Sequence, residues 1–120
     1  MKKKISKRYP KINPSLENQI VKTLAQTLSD FKEVNETSIF LKDFLSKREL
    51  DMLSKRLAIS YWLKKGRTYT NIMNNLKVSS ATIAQVSENM KTKGYQDALK
   101  KIEAEEWANV WAKKIRKFVK

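Results

Sequence analysis

The sequence contains no cysteine and no histidine, and each absence removes a class of chemistry. Without cysteine, disulfides, thiolate metal sites and a thiol nucleophile are excluded. Without histidine, the commonest general base and the commonest metal ligand are missing. Glycine occurs only at positions 66 and 94, so a glycine-rich phosphate loop is also excluded. The sequence therefore predicts a binding protein rather than an enzyme, with no metal and no cofactor.

Turn residues are scarce as well, with two glycines and two prolines in 120 residues. A many-stranded β fold needs turn residues every 8 to 12 residues or so, and this composition favours an all-α fold with short loops. Hydrophobic residues make up 41% of the chain, enough for the modest core of one domain.

Long apolar runs are absent too. No stretch approaches the roughly 18 to 20 apolar residues that span a bilayer. The lysines at positions 2 to 4 are followed by Ser6, Lys7 and Pro10 rather than by the apolar run of a signal peptide. We therefore expect a soluble cytoplasmic protein with no membrane partner.

Acidic residues are few, because 26 lysines and arginines stand against 12 acids and give a formal net charge of +14. Such a field attracts polyanions, and small soluble domains seldom exceed a net charge of roughly 2 to 8 without a use for it. Nucleic acid is the expected partner. Residues 1–12 carry six cations and no acid, which predicts a basic arm that is disordered until it meets a partner. The arm is either a phosphate contact or a passive tail.

Capping residues divide the rest of the chain into helices. Asn13-Pro14 predicts the first start, and Asn35 its end. Thr37 is predicted to cap a short second helix, and Ser46-Lys47-Arg48-Glu49 matches the capping box of a third. Gly66 is predicted to stop that third helix in a left-handed conformation. We expect one helical domain over residues 13–94.

The remaining segment, residues 95–120, predicts a long amphipathic helix whose last residues are basic. Its two tryptophans, Trp107 and Trp111, are expected to be core or dimer-contact anchors. The basic end suits phosphate or an anionic membrane surface, and DNA is favoured because the positive charge continues across residues 66–94.

A helix-turn-helix is predicted over residues 68–91. Thr68 caps a helix of about two turns, residues 77–79 allow only a sharp turn, and Ser79 caps a second helix. In that second helix Ile83, Val86 and Met90 are expected to point inward. The opposite face is small and polar, as in a helix that enters the major groove.

Each exposed residue of this motif has a predicted role. The residues expected to read bases are Ser80, Ala81, Thr82, Ala84 and Gln85. The residues expected to position phosphates are Arg67, Thr68, Tyr69, Thr70, Lys77 and Ser79. Packing between helices is the alternative use of such a small polar face.

These segments resemble the Trp repressor superfamily of bacterial helix-turn-helix regulators, in register from roughly Phe40 to Gly94. Leu45-Ser46-Lys47-Arg48-Glu49 is similar to the family's Leu-Thr-Pro-x-Glu opening, and Ser54-Lys55-Arg56-Leu57 to its core segment. Leu63-Lys64-Lys65-Gly66 resembles the end of its leucine-rich helix, and Ser80-Ala81-Thr82-Ile83-Ala84-Gln85 its recognition helix.

The resemblance implies a six-helix subunit whose N-terminal helices interlock with a second copy in an intertwined two-fold dimer. It also implies a corepressor site in which two arginines hold tryptophan. Arg56 stands at the first arginine position, but Gln85 replaces the second and Val86 replaces the glycine that follows it. Tryptophan is therefore not expected as the corepressor, and the effector is unknown.

The predicted function is that of a sequence-specific regulator of transcription, a repressor, that binds double-stranded DNA as a homodimer at the bacterial nucleoid. Two alternatives stay open. One is a non-specific nucleic-acid-binding or architectural basic protein, and the other is a dimeric adaptor whose helix-turn-helix contacts protein. A charge-only binder loses nearly all affinity in salt and prefers no site, whereas an adaptor does not bind DNA even at low salt.

Overall fold

A computed structural model describes the chain from residue 10 to residue 119, and its side chains from residue 10 to residue 109. In that part of the chain the fold is all helical, without a strand, as predicted from the composition. The six helices are α1 (Pro14–Asp30), α2 (Val34–Phe44), α3 (Lys47–Lys64), α4 (Tyr69–Leu76), α5 (Ser80–Asn89) and α6 (Lys93–Val119). Most of the predicted basic arm and the side chain of Trp111 lie outside the described residues.

Two compact units divide the chain between Lys47 and Arg48. The first unit holds α1 and α2. Asn13 caps α1 as predicted, because its Oδ1 accepts a hydrogen bond from the N–H of Leu16 at 2.8 Å. The second unit holds nearly all of α3 and the helices α4 to α6, and it contains every buried residue of the described chain.

The boundary between the first two helices differs from the prediction. Helix α1 ends at Asp30 rather than at Asn35, and α2 begins at Val34 rather than after Thr37. The reason is a contact between residues nine apart in the sequence, since the ring of Phe31 lies 5.4 Å from the ring of Phe40 and the chain must turn to bring them together. Thr37 lies inside α2, where its hydroxyl donates to the carbonyl oxygen of Glu33.

Helices α1 and α2 bury no side chain in the single chain. The apolar side of α1 is open to solvent, with Leu16 43% exposed and Ile20 52% exposed. In α2, Ile39 and Phe44 are exposed as well. Exposed apolar side chains grouped in this way are typical of a surface that packs against another molecule.

The core of the second unit joins three helices. Ile59 of α3, Ile72 of α4, and Ile83 and Val86 of α5 are buried against one another. The half-buried side chains around them are Trp62, Leu63, Met73, Leu76, Val78 and Tyr95. Ile83 and Val86 therefore point inward as predicted, and Met90 is half-buried.

Helix α6 begins at Lys93, close to the predicted start, and is fixed to the end of α3 by polar contacts. Glu106 accepts hydrogen bonds from the hydroxyl of Tyr61 and, at 3.1 Å, from the ammonium of Lys65. Lys64 pairs with Glu103 at 3.1 Å. Farther along, Trp107 is 65% exposed and does not belong to the core of the single chain.

The contacts of Glu106 change the pKa values of the three groups involved. The hydrogen bond from Tyr61, followed by the one from Lys65, lowers the pKa of the Glu106 carboxyl. The same carboxylate raises the pKa of Tyr61 and that of Lys65, in each case mainly through its hydrogen bond. Both hydrogen-bond donors, Tyr61 and Lys65, therefore favour the ionised form of Glu106 in the folded protein.

We expect Glu106→Gln to lower the melting temperature at neutral pH and to have less effect in acid. A carboxyl whose pKa is lowered by folding stabilises the fold at a pH above its unfolded value, near 4.5, and this contribution is lost as the pH falls through the folded pKa. Melting followed by circular dichroism at neutral and acid pH measures the difference.

Glu105→Gln is the matched control, because it removes the same charge from a neighbouring position that forms no ion pair among the described residues. Equal melting temperatures for the two variants at neutral pH would show that Glu106 does not fix α6.

Candidate nucleic-acid interface

Helices α4 and α5 form a helix-turn-helix whose ends are capped as the sequence predicts. The hydroxyl of Thr68 accepts from the N–H of Asn71 at 3.1 Å, and that of Ser79 accepts from the N–H of Thr82 at 3.1 Å. Residues 77–79 connect the two helices. Val78 is half-buried in this turn and packs against the core.

The turn depends on an unusual backbone conformation at Lys77. This residue has φ 57° and ψ 52°, and its N–H donates to the carbonyl oxygen of Met73 at 2.9 Å, which closes α4. The left-handed region suits glycine, because a Cβ atom crowds the carbonyl oxygen there. Lys77 therefore carries local strain in order to make the turn.

The predicted base-reading side chains lie at the start of α5. Ser80, Ala81, Ala84 and Gln85 are exposed. Thr82 is half-buried, and its hydroxyl lies 3.0 Å from that of Ser79, so it has a local partner. The first turn of α5 contains no acid. This flank is small, polar and turned away from the buried side of the helix.

The predicted phosphate-positioning residues are all exposed, and the structure divides them into two groups. One group, at the start of α4, consists of Arg67, Thr68, Tyr69 and Thr70. The other, Lys77 and Ser79, lies beyond the end of α4. Since α4 has eight residues, the groups are about 12 Å apart along the helix axis. Thr68 and Ser79 use hydroxyl lone pairs as caps, and a hydroxyl that accepts in this way still has a proton to donate.

Arg67 has two partners that the sequence reasoning missed. Its guanidinium carbon lies 3.9 Å from the centroid of the Trp62 ring, and its Nη1 donates to Oδ1 of Asn71 at 3.3 Å. A signal for the first contact is present in the sequence. A helix ended by a left-handed glycine brings together the residues four before and one after it, which are Trp62 and Arg67 when Gly66 is that glycine.

A cavity of about 390 Å³ lies beside α5. It is lined by Met52, Arg56, Thr82, Gln85, Val86, Asn89, Thr92 and Tyr95. Arg56 thus lines the same cavity as Gln85 and Val86. A second cavity of about 390 Å³ also includes Arg56 and is lined mainly by apolar groups of α3 and α6.

In the part of the chain that the structure describes, no helix has both the length and the apolar character needed to span a bilayer. None of the acidic side chains in this part group in a way that would hold a metal ion.

The capped pair of helices, its buried inner side and its small polar outer flank define a helix-turn-helix protein. The description of the matching family model is "Trp repressor protein", and the match covers residues 19–103, from within α1 to within α6. The chain belongs to this family, whose members are helix-turn-helix DNA-binding regulators of transcription. No curated protein and no solved structure gives a significant match to the chain.

We expect Lys77→Gly to stabilise the protein. Removing the left-handed strain gains about 1 to 2 kcal/mol, and the greater chain entropy of glycine offsets about 0.5 to 1 kcal/mol of that. The free energy of unfolding should therefore rise by up to about 1.5 kcal/mol, as measured by chemical denaturation.

Lys77→Ala is the control, because it removes the same charge and keeps the Cβ atom. It should not stabilise the protein. If alanine and glycine gave the same stability, strain at this turn would not be the cause.

Proposed function

We propose that this protein regulates transcription by binding specific sites on double-stranded DNA with α5 in the major groove, and that it acts as a repressor. The observation that carries the proposal is the exposed flank formed by Ser80, Ala81, Ala84 and Gln85, at the start of a helix whose first turn contains no acid. Its opposite side, Ile83 and Val86, is buried in the core, so the orientation of the flank is fixed by packing.

The chemistry of this flank suits base edges. The amide of Gln85 can pair with the N6 and N7 atoms of adenine, and the hydroxyls of Ser80 and Thr82 can donate or accept. Ala81 and Ala84 present methyl groups to thymine methyls and keep the helix surface low enough to approach the base pairs. Phosphates then bind at the two ends of α4 and fix the register of α5. The residues that bind them are Arg67, Tyr69 and Thr70 at the start of the helix and Lys77 after its end.

The proposal includes a homodimer in which α1 and α2 pack against a second copy. Support comes from the exposed apolar side chains of these helices, including Leu16, Ile20 and Leu24, and from membership of the family. In the intertwined two-fold arrangement the two copies of α5 enter successive major grooves. The half-sites on the DNA should then lie about one helical turn, or 34 Å, apart.

The net charge of +14 gives specific support to a second candidate, a non-specific or architectural DNA-binding protein. The adaptor alternative would place a protein against the same flank. Selection from a pool of duplex DNA distinguishes these alternatives. In all three cases the protein acts by binding and not as an enzyme, and duplex DNA as the partner puts it in the cytoplasm with the nucleoid.

Selection from a random pool of duplex DNA should enrich one inverted repeat with half-sites one helical turn apart. Affinity for that site should exceed affinity for random duplex by roughly 10³-fold or more at the same salt concentration. A pool without enrichment, but with salt-sensitive binding, would favour the non-specific candidate. The absence of binding at low salt would favour the adaptor. A single half-site would contradict the dimer.

Gln85→Ala should relax the preference at one base pair, by about 1 to 3 kcal/mol, and leave the others unchanged. Arg67→Ala is the comparison, because the loss of a phosphate contact should weaken binding to every sequence alike. Competition assays against sites with single base changes measure both effects. A uniform loss for Gln85→Ala would remove its reading role.

We further propose that tryptophan is not the corepressor. In the cavity beside α5, Arg56 remains, but Gln85 offers a neutral amide where the family's second arginine would bind a carboxylate, and the side chain of Val86 takes up space. Calorimetric titration with tryptophan should show no binding in the micromolar range. A micromolar dissociation constant would contradict this.

A further inference from the structure

The end of α3 places an aromatic ring under an arginine. Gly66 has φ 87°, and its N–H donates to the carbonyl oxygen of Leu63 at 3.0 Å. The N–H of Arg67 donates to the carbonyl oxygen of Trp62, also at 3.0 Å. These two bonds define a Schellman motif, which brings together the side chains of the third-last helical residue and the residue after the glycine. An apolar contact usually forms at this point, and here it is a guanidinium on an indole.

The Arg67 side chain is held at two points in the free protein. Its guanidinium carbon lies 3.9 Å from the centroid of the Trp62 ring, within the range of a cation–π contact. Its Nη1 donates to Asn71 at 3.3 Å. Asn71 is itself fixed, because it lies in the first turn of α4 and its N–H is capped by Thr68. Trp62 is fixed as well, since it packs half-buried against the core.

Arg67 differs from the two preceding cations, Lys64 and Lys65, in its ion pairing. Lys64 and Lys65 are both paired with carboxylates of α6, Glu103 and Glu106. Arg67 forms no ion pair with any described residue. Stacking uses only the flat face of the guanidinium, and of its five N–H donors one is used by Asn71. The remaining edge can bind two oxygens of one phosphate.

We propose that Trp62 is a positioning residue for DNA binding, which orders Arg67 in advance so that its free edge meets a backbone phosphate beside the start of α4. The inference rests on the proposed function. Trp62 need not touch DNA, and its effect is the same for every sequence. Preordering helps because an arginine that is already immobile loses less conformational entropy when it binds.

A double-mutant cycle tests the coupling of Trp62 to Arg67. The variants are Trp62→Leu, Arg67→Ala and the double variant, and affinity for selected and random duplexes is measured by fluorescence anisotropy at several salt concentrations. Arg67→Ala should reduce the slope of log K against log salt by about 0.9, because one phosphate contact is lost. Trp62→Leu should weaken binding about two- to five-fold on both duplexes and leave the slope unchanged, because Arg67 keeps its charge.

The decisive comparison is between the two backgrounds. When Arg67 is already alanine, Trp62→Leu should have no further effect on affinity, and Trp62→Phe, which keeps a ring, should restore much of the loss in the original background. An equal loss in both backgrounds would show that Trp62 acts only through the stability of the core and would overturn the proposal, as would no loss in either.

If Trp62→Leu does not fold, Arg67→Lys serves as the second variant. It keeps the charge and the slope but binds the ring less well, so it should lower the affinity and make it insensitive to Trp62→Phe.

A measurement without DNA separates this inference from the proposed function. In the free protein, the Nε–H signal of Arg67 in a nitrogen-correlated NMR spectrum should be displaced by the ring current of Trp62, and Trp62→Leu should move it to its ordinary position. A signal that is not displaced in the unaltered protein would overturn the inference whether or not DNA binds. If the unaltered protein binds no duplex at low salt, the proposed function fails and the phosphate role of Arg67 fails with it. If the protein binds but the cycle shows no coupling, only the role of Trp62 fails.

Discussion

Burial of four aliphatic side chains, Ile59, Ile72, Ile83 and Val86, holds the functional part of this protein together. Complete burial of one such side chain is worth about 1.5 to 3 kcal/mol relative to exposure. Because the four come from α3, α4 and α5, their contact fixes the angle between the two helices of the motif and the rotation of each. The outward flank of α5 is a consequence of this packing, since a helix that buries Ile83 and Val86 must expose the residues between them.

The first unit has a different energetic basis. Helices α1 and α2 have good local signals, including the Asn13 cap and the contact between the rings of Phe31 and Phe40, but bury nothing in the single chain. Local hydrogen bonds and two aromatic ring contacts, of Phe40 with Phe31 and with Phe44, rarely stabilise two helices in water. If a second copy covers them, as we propose, the stability of this unit depends on protein concentration.

The features that the sequence predicted correctly are those decided within a few residues. Asn13, Thr68 and Ser79 cap helices because a side-chain oxygen reaches an amide three positions away, and Gly66 ends α3 because it tolerates positive φ. The turn between α1 and α2 was misplaced because it depends on the contact of Phe31 with Phe40 across nine residues, which capping residues and helix periodicity do not indicate.

The contacts of Glu106 with Tyr61 and Lys65 could not be predicted for the same reason, since they require the path of α6. The stacking of Arg67 on Trp62 lies between these cases. It follows from a local motif once Gly66 is known to be left-handed. The sequence analysis predicted that conformation but did not extend it to the contact between Trp62 and Arg67. The base and phosphate roles of the exposed residues stay predictions, because the structure shows their positions and not their partners.

The last turn of α3 serves two neighbours at once. Tyr61, Lys64 and Lys65 are directed to α6, while Trp62, between them in sequence, lies under Arg67 at the entrance to α4. Successive residues of a helix are separated by about 100° around its axis. The angular position of each side chain therefore decides whether it contacts α6 or Arg67. A residue inserted into α3 between Ile59 and this turn would rotate Tyr61, Lys64 and Lys65 by about 100° relative to Ile59, so that the contacts with α6 and the burial of Ile59 could not both be kept. Arg67 would stay on Trp62, because that contact is local. The length of α3 is thus more tightly constrained than the identity of most residues on its surface.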